Sequence, residues 1–315
     1  MQQSSNEPPS WYTHPPKDYQ FIYSTAASKT QQSARNIALL SINRSLYSEL
    51  SDSFSSKNPP IHINSSLELK ALQETSAKIA NSLVFHGIKT LESTTFRSQN
   101  LILISVSRAS IFAEQKQKLD AVYTPIKKQL EALYSLDPLK QYALIAPTIT
   151  LLDEIAARAK LLEIISNGFD GGEYFAFVNS IKDNFKQLQK NIGMRVLGNL
   201  NAIRFVRYIQ EGIVQQNITV DKTLSEKESY TLFILTAVDK KMDYQFYKTT
   251  LTVTTIVATK DKKVIAEKLH TFIGKSRKDY QDAQAQAEES VGKQVKSLGI
   301  FNFLGLDNTM KKGKE

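Results

Sequence analysis

Ser10-Trp11-Tyr12-Thr13-His14-Pro15-Pro16, followed by Tyr19-Gln20-Phe21-Ile22-Tyr23-Ser24-Thr25-Ala26-Ala27-Ser28, is the stretch from which the fold is read. Trp11 is the only tryptophan in the chain. Pro15-Pro16 stiffens an extended approach, because each ring fixes its own φ and restricts the residue before it. Tyr19 to Ala27 then reads as a strand, with Phe21 and Tyr23 on one face and Ile22 on the other. Ser28 or Thr30 can cap a following helix by accepting a bond from an orphan backbone N–H. Ala34, Ile37, Ala38, Ile42 and Leu46 recur at spacings of three or four, which makes that helix amphipathic.

Outward from this unit, Ile61-His62-Ile63 after Pro59-Pro60 is a short strand candidate, and Ser66 to Leu83 a second helix burying Leu69, Leu72, Ala77 and Ile79 or Ala80. Gly87 ends the helical region, and Ile88–Glu92 and Asn100–Ser107 close the module as strands. Leu119, Val122, Ile126, Leu130 and Leu133 share one face of a long helix that contains Pro125. Asp137-Pro138 breaks it, and Thr150 to Ile165 continues as a periodic helix, so residues 109–168 read as a helical hairpin connector. Asn167-Gly168-Phe169-Asp170-Gly171-Gly172 is the clearest linker.

Beyond it, Phe177, Ile181, Phe185 and Leu188 mark a helix and Met194–Leu197 a short strand. Leu200, Ile203, Phe205 or Val206, and Ile209 mark another helix with Gly212 as its C-terminal cap, and Ile213–Val220 reads as a strand. Tyr230–Val238, Phe246–Ala258 and Val264–Ile273 are Thr-, Val- and Ile-rich strands, the first two joined by Asp239-Lys240-Lys241-Met242-Asp243. A last helix from about Arg277 to Leu298 carries Tyr280, Ala283, Ala287, Val291 and Val295. The strand-to-helix corners at Ala27-Ser28-Lys29-Thr30 and Gly274-Lys275-Ser276 echo one another. The expectation is an α+β fold of two modules with mixed or antiparallel sheets: a leader over 1–9, a first module over 10–108, the connector over 109–168, a second module over 169–300 and a loose basic tail over 301–315.

The 315 residues are 41 % apolar and 23 % charged, ordinary for a globular chain. There is no cysteine, which excludes disulfides, thiolate metal sites and a cysteine nucleophile. The net charge of +9 favours acidic partners: an envelope surface, an anionic polymer or nucleic acid. No run of eighteen apolar residues exists, so no transmembrane helix is expected. Gln2 to Pro9 is polar and reads as a disordered leader, and a Met placed directly before it fits a start that replaces a removed export signal.

Trp11-Tyr12, Pro15-Pro16, the aromatic strand, the Ser-Lys-Thr corner and the Ala-rich helix together resemble a bacterial envelope family. That family comprises small outer-membrane lipoproteins of Helicobacter-type bacteria and the related N-terminal module of FlgT-like flagellar-ring proteins. The resemblance covers roughly Ser10 to Arg108, with the connector as a continuation, and the whole layout resembles a three-domain secreted Helicobacter protein. It implies an exported, non-enzymatic protein that is secreted, periplasmic or associated with the outer membrane. Such a protein acts through its surfaces on an envelope or flagellar partner, near the motility apparatus or a host. The chain departs from the family in having no cysteine to carry a lipid.

No constellation in the sequence specifies catalysis or a cofactor. Gly274-Lys275-Ser276 has Leu269 where a phosphate loop needs its first glycine, so a capped helix start is the simpler account. His14, His62, His86 and His270 lack metal-ligand spacing. Asp153-Glu154 and Glu288-Glu289 are helix neighbours that diverge by about 100° and cannot aim at one bond. Lys190, Arg195, Arg204 and Arg207, interleaved with Phe205 and Tyr208, could form a basic aromatic stripe. Core aromatics beside solvated arginines is the plainer account. The candidate interaction residues are therefore Trp11, Arg204, Arg207 and Lys275, with no catalytic residue, metal or cofactor assigned. The alternative function is a secreted factor binding an anionic polymer through its basic surface, with nucleic acid the less favoured ligand.

Overall fold

The computed structural model describes residues 7–220 and 228–306. Most of the expected leader and the lysines at 311, 312 and 314 lie outside them. In chain order the elements are α1 (Ser10–Thr13), β1 (Phe21–Ser28), α2 (Gln31–Ser55), α3 (Ser66–Asn81), β2 (Lys89–Phe96), β3 (Gln99–Ser107), α4 (Arg108–Leu130), α5 (Pro138–Ile145), α6 (Ile149–Ile165) and α7 (Gly172–Asn191). There follow β4 (Ile192–Gly198), α8 (Val206–Gln215), β5 (Thr219–Val220), β6 (Glu228–Asp243), β7 (Phe246–Ala258), β8 (Val264–Ser276), α9 (Tyr280–Leu298) and α10 (Ile300–Phe303). The fold is α+β, with a three-stranded antiparallel sheet and a five-stranded mixed one.

The chain forms two compact units from interleaved segments. The first takes the residues up to Lys128 together with Ile149–Lys182, and the second takes Gln129–Thr148 with the residues from Asp183 onward. This departs from the contiguous modules expected: residues 109–168 are divided between the units, and no boundary falls at Asn167–Gly172. That stretch is a tight turn instead. Glu163 Oε1 accepts the Gly171 N–H at 2.9 Å, and a Cβ on Gly171 would come within 2.7 Å of the Phe175 ring.

In the first unit β3 lies between β1 and β2. Leu101 to Val106 are buried without alternation, as befits a central strand covered on both faces. The first covering element is α2, capped by Thr30, whose Oγ1 accepts the Ser33 N–H. Its buried residues Ala34, Ala38, Ile42, Leu46, Leu50 and Phe54 repeat every fourth position. Each such step drifts by about 40° on a 3.6-residue helix. The stripe therefore winds around the helix, which suits α2 to pack on β1 and β3 as well as on α3 and α6. Ile37, expected inside, is exposed. Residues 61–63 are not a strand, although Ile61 is buried; Asn179 Oδ1 accepts the His62 N–H at 2.7 Å. On the sheet, α1 contacts β3, and the Thr25 hydroxyl donates to the Tyr12 carbonyl at 3.2 Å.

Helix α6 is buried nearly all round, including Asp153 and Arg158. Charges enter such a core only when paired. Asp153 pairs with Lys182, while Arg158 donates to Glu154 at 2.8 Å and to Gln115 at 2.6 Å.

The second unit's sheet has the order β5-β4-β6-β7-β8, with β5, β4 and β6 parallel and β6 to β8 an antiparallel meander. The β6–β7 pairing continues from Asp239↔Thr250 to Asp243↔Phe246, so the turn is at Tyr244-Gln245 and the residues expected to turn are strand. Residues 274–276 likewise extend β8, pairing with Thr249, Lys248 and Tyr247. They are not a corner, and the cap of α9 is Asp279, which accepts the Asp282 N–H at 2.7 Å. Ile213 and Val214 belong to α8 rather than to a strand, and Gly212 is interior to that helix, within van der Waals reach of Val295 and Ile300. Ile300, Phe303, Leu304 and Leu306 are buried, so the expected loose tail is packed as far as residue 306. Tyr142 of α5 is also buried, stacked on Phe185 with centroids 4.6 Å apart and donating to the Gln216 carbonyl. Burial pushes its phenol up to about 12.

Candidate functional site

Among the described residues, no cluster of His, Cys, Asp or Glu is arranged to hold a metal ion, and no helix is long and apolar enough to cross a membrane. Two features remain that could recognise something.

One is the face of the second unit's sheet opposite α9. Along β7, Thr249, Leu251, Val253, Thr255 and Val257 are buried, on the face that α9 covers. The alternate residues point the other way. Leu235, Thr254 and Leu269 stand side by side there, as do Phe233, Ile256 and Glu267, and then Asp239, Thr250 and Ile273. Phe233, Leu235 and Leu269 are 38, 48 and 64 % exposed and, with half-buried Ile256, form an apolar patch over two adjacent rows, while Ile273, 52 % exposed, stands apart from it across the row Ala237, Thr252 and Thr271. At one end Lys241, Lys248 and Lys275 form a row across the three strands. Like charges directly opposite one another disfavour pairing. Asp239 lies 3.3 Å from Lys241 and Asp243 lies 3.5 Å from Lys275, which offsets part of that repulsion.

The other is a cleft of about 970 Å³ inside the first unit, where the start of β1, the start of α4 and the end of α6 meet. Lys17, Asp18, Phe21, Arg108 and Phe112 line it. Asp18 Oδ1 accepts the N–H groups of Gln20 and Phe21 at 2.8 and 2.7 Å, and Oδ2 accepts the Tyr23 hydroxyl at 2.5 Å. The Tyr23 hydroxyl and the Phe21 N–H hold the Asp18 carboxyl below its usual range, with Arg108 helping through its charge. Arg108 Nη1 donates to the carbonyls of Ile164 and Ile165 at 3.2 and 3.3 Å, capping the C-terminus of α6, and its buried Nε has no partner.

The residues singled out from the sequence lie on separate elements. Trp11 is half-buried in α1, edge-on to Tyr12 at 6.1 Å. Arg204 is exposed in the turn before α8, 3.7 Å from Glu288. Arg207 stacks on Tyr208 at 4.9 Å and donates to its hydroxyl at 3.1 Å. Phe205 is fully buried, so the aromatics of the basic stripe include a core side chain. Lys275 alone of the four belongs to the lysine row. Sequence reasoning missed Arg108 and Lys17 altogether. It also missed the open apolar face, although Leu232-Phe233-Ile234-Leu235, apolar at both parities, carried the signal.

No protein-family model matches the chain, and no curated protein matches it. Among solved structures it is similar to a minor lipoprotein from Acinetobacter baumannii, at 10 % identity and a TM-score of 0.29, over 36 % of this chain and 95 % of that one. A secreted protein from Helicobacter pylori matches at 9 % identity and a TM-score of 0.34, over 78 % of this chain and 85 % of that one. Rare lipoprotein B from Shewanella oneidensis matches at 14 % identity and a TM-score of 0.22, over 35 % of this chain and 86 % of that one. Likenesses of this size define neither a family nor an activity for the chain.

Proposed function

We propose that this is an exported, non-enzymatic cell-envelope protein that works by surface recognition, and that the open face of β6–β8 receives a protein partner. The observation that carries the reading is the exposed apolar patch of Phe233, Leu235, Ile256 and Leu269, on a sheet whose opposite face packs against α9 at β7 and β8. Soluble domains seldom leave such a surface open without a use for it. Export to the envelope is supported by the ordered motifs from Trp11 through α2, and the flagellar-ring side of that resemblance directs the search to motility proteins. Trp11, Arg204 and Arg207 stand as further candidate contacts.

The row Lys241, Lys248, Lys275 and the net charge of +9 favour a second reading, binding of an anionic polymer. Salt separates the two, because polymer binding weakens steeply as counterions compete. The test is retention from an envelope extract at low and high salt, read by mass spectrometry, with the Leu235→Asp/Leu269→Asp protein alongside. One defined protein held at both salts and released by the double variant is expected. Acidic material that washes off together at high salt, indifferent to the variant, would replace the first reading by the second.

A further inference from the structure

We propose that the cleft at Arg108 binds an amphipathic anion: one carboxylate or phosphate group joined to a short apolar body. The proposal concerns the first unit alone and goes beyond the recognition surface, on which it does not depend.

The cleft's volume of about 970 Å³ lies in the range of small-molecule sites. Its walls are of two kinds. Lys17 and Arg108 supply positive charge, while the start of α4, whose Arg108 N–H is taken by the Gln20 carbonyl, is offset by the end of α6 in the same wall. Phe21, Phe112 and Ile165 supply apolar surface, with Phe112 steadied edge-on by Phe169 at 5.7 Å. Two groups oppose an anion, the end of α6 and the Asp18 carboxylate. The last carbonyls of α6 accept from Arg108 Nη1, which also fixes the guanidinium at the cleft wall. The Asp18 carboxylate accepts three bonds from its own segment and keeps its negative charge, which Arg108 faces. Lys17 and Arg108 against the one Asp18 carboxylate leave a single net positive charge beside an apolar wall. A neutral ligand leaves that charge unused, and a bare anion leaves the aromatic wall wet.

Titration calorimetry tests this with octyl phosphate and octanoate, held below micelle formation, against octanol and inorganic phosphate. Saturable one-to-one binding of octyl phosphate, octanoate or both is expected, and which of them binds identifies the head group. Arg108 also caps α6, so the informative variants are Lys17→Glu, at an exposed residue, and Ala109→Phe, at an exposed lining residue. Lys17→Glu should weaken binding by about tenfold or more. Ala109→Phe should weaken it by occupying part of the cleft, while Leu235→Asp/Leu269→Asp should bind as the unaltered protein does. The proposal is overturned by the absence of saturable binding, by octanol or inorganic phosphate binding as tightly as octyl phosphate, or by affinity unchanged in both cleft variants.

Discussion

Gly274 occupies a point of β8 where a Cβ would lie 1.8 Å from the carbonyl oxygen of Ala283. Helix α9 therefore rests on the strand backbone itself, and Ala283, Ala287 and Val291 follow it into the core. Gly274→Val should cost about 3 kcal/mol, as overpacking against backbone does, and a denaturant midpoint measures it. An unshifted midpoint would mean that α9 is not seated there. His270 sits nearby, stacked on Phe303 at 4.2 Å with its Nε2 2.8 Å from the Phe303 carbonyl. Burial lowers its pKa from 6.5, and the Lys268 charge adds to this against the pull of the carbonyl. A depressed base is neutral in the folded chain while the unfolded chain still takes up a proton. Its contribution to stability is thus present above about pH 6.5 and is lost as pH falls towards the lower folded value. Stability measured across that window should fall more steeply than in His270→Gln, and parallel curves would contradict the assignment.

Helix α9 was legible in the sequence because its apolar residues recur at helical spacing, and so were α2 and the meander of β6 to β8. What was misread depends on partners remote in sequence. Ser276 looks like a cap until β7 is seen to extend far enough to hold Gly274, Lys275 and Ser276 in the ladder. Ile213 and Val214 have strand chemistry, but Ile209 and Ile213 are buried one turn apart in α8, where Gly212 admits Val295. The cleft was illegible for the same reason, since residues 17–21, 107–112 and 164–168 meet only in the fold. The cap assignment is directly testable. Asp279→Ala should lower stability by about 1 kcal/mol. Ser276→Ala, whose hydroxyl oxygen accepts only the Lys278 N–H at 2.9 Å, should cost less. The reverse order would restore Ser276 as the cap.

At the scale of the molecule, neither compact unit is a continuous stretch of chain. A fragment cut after Gly168, the linker suggested by its glycines, would strip Lys182 from the buried carboxylate of Asp153. Breaking a buried pair in this way costs about 3–5 kcal/mol, so a fragment of residues 10–168 should lack a cooperative unfolding transition, and a sharp transition would argue against the division into units. The central claim, recognition through the open face of the second unit, is tested most directly by a photo-crosslinking residue placed at Leu269 in the intact protein in envelope extract. Leu67, 78 % exposed at the start of α3, serves as the control position. The account predicts one defined protein crosslinked from position 269, at low and at high salt, and not from position 67. Equal labelling from both positions, or no protein adduct from position 269, would contradict it.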